Sequence, residues 1–316
     1  MKLKAPFVYF GGKATVAPIV WQALGDVKAY LEPFFGSGAV LLARPTWDPT
    51  VHIETVNDAD GFLANVWRSL QADPDAVAKV CDWPVNHADL SARKRRLIAE
   101  GDMLLERLIA DETYYDAKLA GYWIWAASCW IGSGLTSIGQ IPHLGDGGKG
   151  VHAIGQIPHL GDGGKGVQEP YNTNIYEWFR KLSERLRYVR VVCGDWTRVC
   201  GGDWQDKPGT VGIFMDPPYG TDATRDPNIY HVESLTVAKD VADWVLERGD
   251  RPSYRIVLAG YYEEHERLLK HGWRVHTWKA GGGYGNLGDG QGAANRHREA
   301  LFFSPHCLPL LQERLL

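Results

Sequence analysis

The chain has 316 residues, 45% hydrophobic and 23% charged, which is enough to bury a large core and excludes wholesale disorder. A formal net charge of −4 excludes a uniformly basic nucleic-acid binder, yet it leaves basic islands at Arg93, Lys94, Arg95 and Arg96 and between Arg180 and Arg190. Such islands are also what the solvated face of a helix looks like. The length predicts about two domains. Five cysteines (Cys81, Cys129, Cys193, Cys200, Cys307) include no C-x-x-C pair, and an odd number cannot all pair within the chain, so a reduced, cytoplasmic protein is expected. Behind Met1 to Pro6 there is no apolar core of signal-peptide length. The uncharged stretch Leu119 to Leu135, 17 residues with three tryptophans, reads as a buried helix, since a membrane span needs about 20 apolar residues.

In chain order, Phe7 to Lys13 joins aromatics to Gly11-Gly12 and a lysine before a helix predicted over Ala14 to Leu24. Glycine lets backbone approach a ligand closely. A strand over Ala29 to Phe34 then runs into Glu32-Pro33-Phe34-Phe35-Gly36-Ser37-Gly38 and the apolar stretch Ala39 to Ala43. Strand, glycine turn and helix in that order make a nucleotide-type site at the carboxyl edge of an open sheet. The third glycine of a dinucleotide fingerprint is missing, which favours another adenosine-bearing ligand. A second strand, His52 to Val56, ends at Asn57-Asp58, where a carboxylate is placed to accept from ribose hydroxyls and also to cap a helix over Ala59 to Leu70.

From Asp73 to Leu186 the strand pattern disappears. Helices are predicted over Pro74 to Cys81, Leu90 to Ala110, Tyr114 to Ile131 and Thr173 to Tyr188, so residues 71–186 read as an inserted helical domain between catalytic parts at 1–70 and 187–316. Inside it, an identical 14-residue stretch occurs at 138–151 and again at 154–167. Two copies are too few for a solenoid. His143 and Gly150 break the phosphate-loop pattern around Gly148-Lys149, and His143, His152 and His159 lack metal-ligand spacing. What remains is a glycine-rich projection whose Lys149 and Lys165 reach phosphate.

Strands return at Val189 to Cys193, before Gly194-Asp195-Trp196, and then at Gly212 to Met215, Arg255 to Ala259, Trp273 to Trp278 and Ala300 to Phe303. Helices over Leu235 to Glu247 and Glu263 to Lys270 separate the later ones. Only the glycine-rich Gly281 to Gly292 lies between the last two strands, which are therefore expected to pair antiparallel. The run Gly212 to Met215 stops abruptly at Asp216-Pro217-Pro218-Tyr219. Two prolines stiffen that exit, which suits a chemical site, although a lone D-P-P is more often only a rigid turn.

Four blocks in this order, Tyr9-Phe10-Gly11-Gly12-Lys13, Glu32 to Gly38, Asp195-Trp196 and Asp216 to Tyr219, resemble the alpha group of Dam-like DNA N6-adenine methyltransferases. The resemblance covers residues 5 to 70 and 189 to 304. It implies a class I, Rossmann-like methyltransferase fold: α/β, seven strands, an antiparallel terminal hairpin and an inserted, mainly helical target-recognition domain. It also implies S-adenosylmethionine as cofactor and adenine-containing double-stranded DNA as partner, in a cytoplasmic protein of bacterial or phage origin. By resemblance, Tyr9, Phe10, Gly11, Gly12, Glu32, Pro33, Phe34, Gly36 and Gly38 surround the methyl donor. Asp58 would hold its ribose, and Asp195 its adenine amino group with Trp196 beside it. Asp216, Pro217, Pro218 and Tyr219 would carry the chemistry, with Asp216 also bordering the donor, and Lys13 looks like the lysine near the target base. No metal is implied.

Asp216 and the Pro217 carbonyl are acceptors for the two N6 hydrogens, and Tyr219 offers a face for a flipped base. RNA adenine, a protein glutamine amide, or a catalytically silent DNA-binding module are the competing readings. An Asn opening the four-residue motif would have favoured glutamine; here it is Asp216.

Overall fold

The computed structural model describes residues 3–7, 12–84, 86–129, 174–202, 209–218, 236–278 and 299–311. Its frame is a seven-stranded sheet of β1 (Ala29–Glu32), β2 (Ile53–Asp58), β3 (Arg190–Cys193), β4 (Val211–Met215), β5 (Tyr254–Tyr261), β6 (Arg274–Thr277) and β7 (Glu299–Phe303). The order is β3-β2-β1-β4-β5-β7-β6. Pairing is parallel from β3 through β5, and β7 runs antiparallel between β5 and β6, as the strand sequence predicts. All seven predicted strands are present. The order reverses between β1 and β4, and ligands bind open α/β sheets outside the carboxyl ends at such a switch point.

Alternation of side chains across the strands sorts the core into two layers. Tyr30, Val56, Phe214, Val257, Ala259, Leu301 and Phe303 face one layer, while Leu31, Ile213, Met215, Ile256, Leu258 and Phe302 face the other. The first layer is covered by α1 (Ala17–Leu24), α2 (Ala39–Leu42), α3 (Gly61–Ala72), α4 (Pro74–Cys81), α5 (His87–Ala110), α6 (Ala117–Cys129) and α7 (Ile175–Leu186). The second is covered by α8 (Thr197–Cys200), α9 (Val237–Arg248) and the turn after β5, where α10 (Tyr262–His265) runs into a 3-10 helix (Glu266–His271). The single helix expected over Glu263 to Lys270 is thus two short pieces, and α8 was not anticipated; four residues carry too little periodicity to show.

Local chemistry sets the boundaries. Asp73 caps α4 through its carboxylate on Ala76 N, with Pro74 as the first residue, so that helix begins where sequence placed it. Asp58, expected to cap α3, does not: Asp60 does so, accepting from Phe62 N at 2.8 Å. Asp58 ends β2, and two further residues are used in turning from strand to helix. Helices α4 to α7 pack on α3 and share its apolar cluster with the sheet. Among the described residues no helix is long and apolar enough to cross a membrane.

Candidate active site

The carboxyl edge of β1 is a turn that only its sequence permits. Gly36 and Gly38 both take positive φ, 47° and 65°, and a Cβ on Gly38 would stand 2.7 Å from the Phe35 ring. Three bonds hold the turn against β2: Phe35 N donates to Asn57 O at 2.9 Å, Gly36 N to Asp58 Oδ2 at 2.8 Å, and Asn57 Nδ2 to Pro33 O at 3.0 Å. Asn57 Nδ2 also reaches Gly194 O at 3.0 Å, so one buried amide ties together the tips of β1, β2 and β3. Asn57 was read only as a neighbour of Asp58. Because β2 is buried on both faces, side-chain alternation along it does not single Asn57 out.

Asp58 Oδ1 accepts from Asp60 N at 3.0 Å. Burial, and then the Asp60 carboxylate, push its pKa up to about 7, against the backbone N–H groups that hold it down. Phe34 is half-buried beside the turn, and its ring lies 6.2 Å from that of Trp196. Trp196 itself is buried and packs edge-on against Trp244. Phe34 therefore presents the surface and Trp196 backs it. Asp195 is exposed, and its Oδ1 accepts from Thr197 N at 2.9 Å and from the Thr197 hydroxyl.

Met215 pairs with Leu258 at the end of β4, and Asp216 follows directly. Its Oδ1 is 3.0 Å from the Lys13 ammonium, which is almost fully buried just before α1. Phe7 packs on Trp67 and Trp123. Burial raises the Asp216 pKa and Lys13 holds it down. Pro217 is buried and Pro218 half-buried. Glu32 is deeply buried and accepts from Tyr30 Oη at 2.8 Å, and burial, with the Asp216 charge adding to it, raises its pKa well above the usual carboxylate range. Its partner is therefore the Tyr30 hydroxyl, inside the protein, so Glu32 shapes the turn from beneath.

The structure brings Lys13, Glu32, Phe34, Gly36, Gly38, Asp58, Asp195, Trp196 and Asp216 to one edge, with Gly12 exposed beside Lys13. Tyr9, Phe10, Gly11, Tyr219, Lys149, Lys165 and both repeat copies lie outside the described residues. The basic island divides. Arg95 and Arg96 are exposed, Arg96 pairing with Glu100, whereas Arg93 and Lys94 are buried. Arg93 stacks over Trp125, Tyr122 and Trp83, 4.2 Å from the first ring centroid, and burial lowers the Lys94 pKa to about 8. Those two side chains are structural, and surface contact from this island falls to Arg95 and Arg96.

A sheet of this order with a glycine turn and two strand-end acids at its switch point defines a Rossmann-like methyltransferase fold. The model of the D12 class N6 adenine-specific DNA methyltransferase family matches residues 9–118, a stretch that holds Lys13, the glycine turn and Asp58. That match supports a Dam-like adenine methyltransferase, a family that acts on DNA. No curated protein matches the chain.

Proposed function

We propose that this protein transfers a methyl group from S-adenosylmethionine to the N6 amino group of adenine in DNA. The observation that carries it is the Asp216 carboxylate, set on a proline-stiffened strand end, held at 3.0 Å by Lys13 and placed beside the β1 glycine turn. The residues present fit the donor. Asp58 keeps acceptor capacity beyond its backbone donors, Phe34 offers a half-exposed ring, and Asp195 stands at the tip of the next strand. When bound, the donor supplies an electrophilic sulfonium methyl.

The chain then has to supply position and charge. Adenine N6 is a poor nucleophile because its lone pair is delocalised into the ring. Asp216 and the Pro217 carbonyl accept its two hydrogens, which favours a pyramidal nitrogen and stabilises the positive charge that develops on it. Burial raises the Asp216 pKa and the Lys13 ammonium opposes that rise, which favours the ionised carboxylate. Alignment of nucleophile and methyl supplies several kcal/mol more. A stacked adenine does not reach this edge, so the base is flipped, with Tyr219 as the stacking face; losing that face costs about 1 to 3 kcal/mol. Residues 71–186, with Arg95, Arg96, Lys149 and Lys165, serve target recognition in this reading.

Transfer of labelled methyl from S-adenosylmethionine to adenine in double-stranded DNA tests the proposal. Asp216→Ala should abolish transfer while donor binding by calorimetry persists. Unchanged transfer in that variant would sink the mechanism, and tight DNA binding without donor binding would favour the silent module.

A further inference from the structure

The ladders that join β1, β2 and β3 end just below the site. The last pair of β1 with β2 is Glu32 and Val56, and that of β2 with β3 is Asp58 and Cys193. Pro33 and Gly194 are therefore the first residues past the ladders, one on either side of β2. A single side chain holds both. Asn57 Nδ2 donates to Pro33 O and to Gly194 O, each at 3.0 Å. Backbone bonds assist on each side, Phe35 N to Asn57 O at 2.9 Å and Gly194 N to Asp58 O at 3.0 Å, but neither spans both gaps.

A carbonyl only accepts, so the amide nitrogen must be the atom that faces the two carbonyls, and both of its hydrogens are used. The amide oxygen is left over. Asn57 is 1% exposed, and its Oδ1 has no hydrogen-bond partner among the described residues. A buried acceptor without a donor costs free energy that works against the two bonds the nitrogen makes. Asn57 thus adds little net stability, and what it does fix is spacing. Neighbouring strands lie about 4.8 Å apart, so the β1 and β3 tips stand about 10 Å apart across β2. In the proposed complex one donor molecule touches all three tips, at the glycine turn, Asp58 and Asp195. Its affinity then depends on that spacing being set before it arrives.

Resting on the function proposed above, we infer that Asn57 is a positioning residue for the methyl donor, holding the β1 and β3 tips at the separation the donor spans. Asn57 acts through the Pro33 and Gly194 carbonyls, and Gly194 leads directly into Asp195.

Hydrogen exchange in the ligand-free protein reads the tie. Asn57→Ala should speed exchange at the Phe35 and Gly194 N–H groups about tenfold, while Ser304 N–H, bonded to Ile256 O at 2.9 Å beside β5 and away from β2, keeps its wild-type rate. Equal acceleration at all three marks a merely structural role and overturns the inference, as does none at Phe35 and Gly194. Calorimetry reads the consequence. In the same variant Kd for S-adenosylmethionine should rise about tenfold, the scale of one lost neutral hydrogen bond, with DNA affinity within about twofold; wild-type donor affinity overturns the inference. A third readout needs no variant. In the wild type the Phe35 and Gly194 N–H groups should be protected before donor is added, and protection gained only with donor would mean that the donor sets the spacing, which overturns the inference. A wild type that binds no S-adenosylmethionine although these groups are protected would refute the proposed function instead.

Discussion

Asp58 shows how one side chain couples the site to pH. Its carboxyl is pushed up to about 7 by burial and by Asp60, so it is mainly protonated at pH 6 and mainly ionised at pH 8. The ionised form is the stronger acceptor for hydroxyl groups, so affinity for S-adenosylmethionine should rise across that interval. Calorimetry at several pH values measures it, with Asp58→Asn expected to flatten the curve; a flat wild-type curve would refute the ribose assignment. The same raised pKa bears on folding. A carboxyl that is a weaker acid when folded contributes stability below its unfolded pKa, and that contribution is lost as pH rises through about 7. On the proposed ribose assignment, donor binding would offset, at neutral pH, a cost that the free protein carries in the same carboxylate.

At the scale of elements, the ion network around Glu54 fixes α7 to β2. Arg185 meets both carboxylate oxygens, at 2.7 and 2.9 Å, and Arg44 reaches Oε1 at 3.0 Å. Glu54 is deeply buried, so removing it strands two partly desolvated arginines. Glu54→Ala should cost about 3 to 5 kcal/mol in denaturant unfolding. A loss under about 1 kcal/mol would mean that the arginines find water or another partner. How legible such elements were depended on whether the signal was local. The apolar run ending at Asp216 and the Asp73-Pro74 start of α4 are local, and both were read correctly. The fate of the basic island was not read, although its spacing held the answer: Leu90, Arg93, Lys94, Leu97, Gly101 and Leu104 fall on one helical stripe and are all buried. Charge masked the stripe, since a long stem buries while its cationic end finds a ring or a polar group.

For the whole molecule, the tandem repeat at 138–151 and 154–167 is a stretch to which the proposed donor binding and methyl transfer assign no role. Deleting one 16-residue period should weaken DNA affinity or alter site choice while donor affinity holds. Filter binding against calorimetry separates the two, and lost donor affinity would count against a role in holding DNA. Such a change of length is tolerable because of how the segment is moored. Asp75 on α4 grips Arg180 on α7 through two bonds of 2.8 Å, and Gln71 Nε2 donates to Leu186 O and Val189 O at 2.8 and 3.0 Å. The chain thus leaves the sheet and rejoins it through one clasp. Lengthening a connection between fixed ends is cheap, about 0.6 kcal/mol per doubling. On the proposed reading, in which residues 71–186 serve target recognition, material added between α6 and α7 would let target choice drift in a lineage without the transfer chemistry being rebuilt.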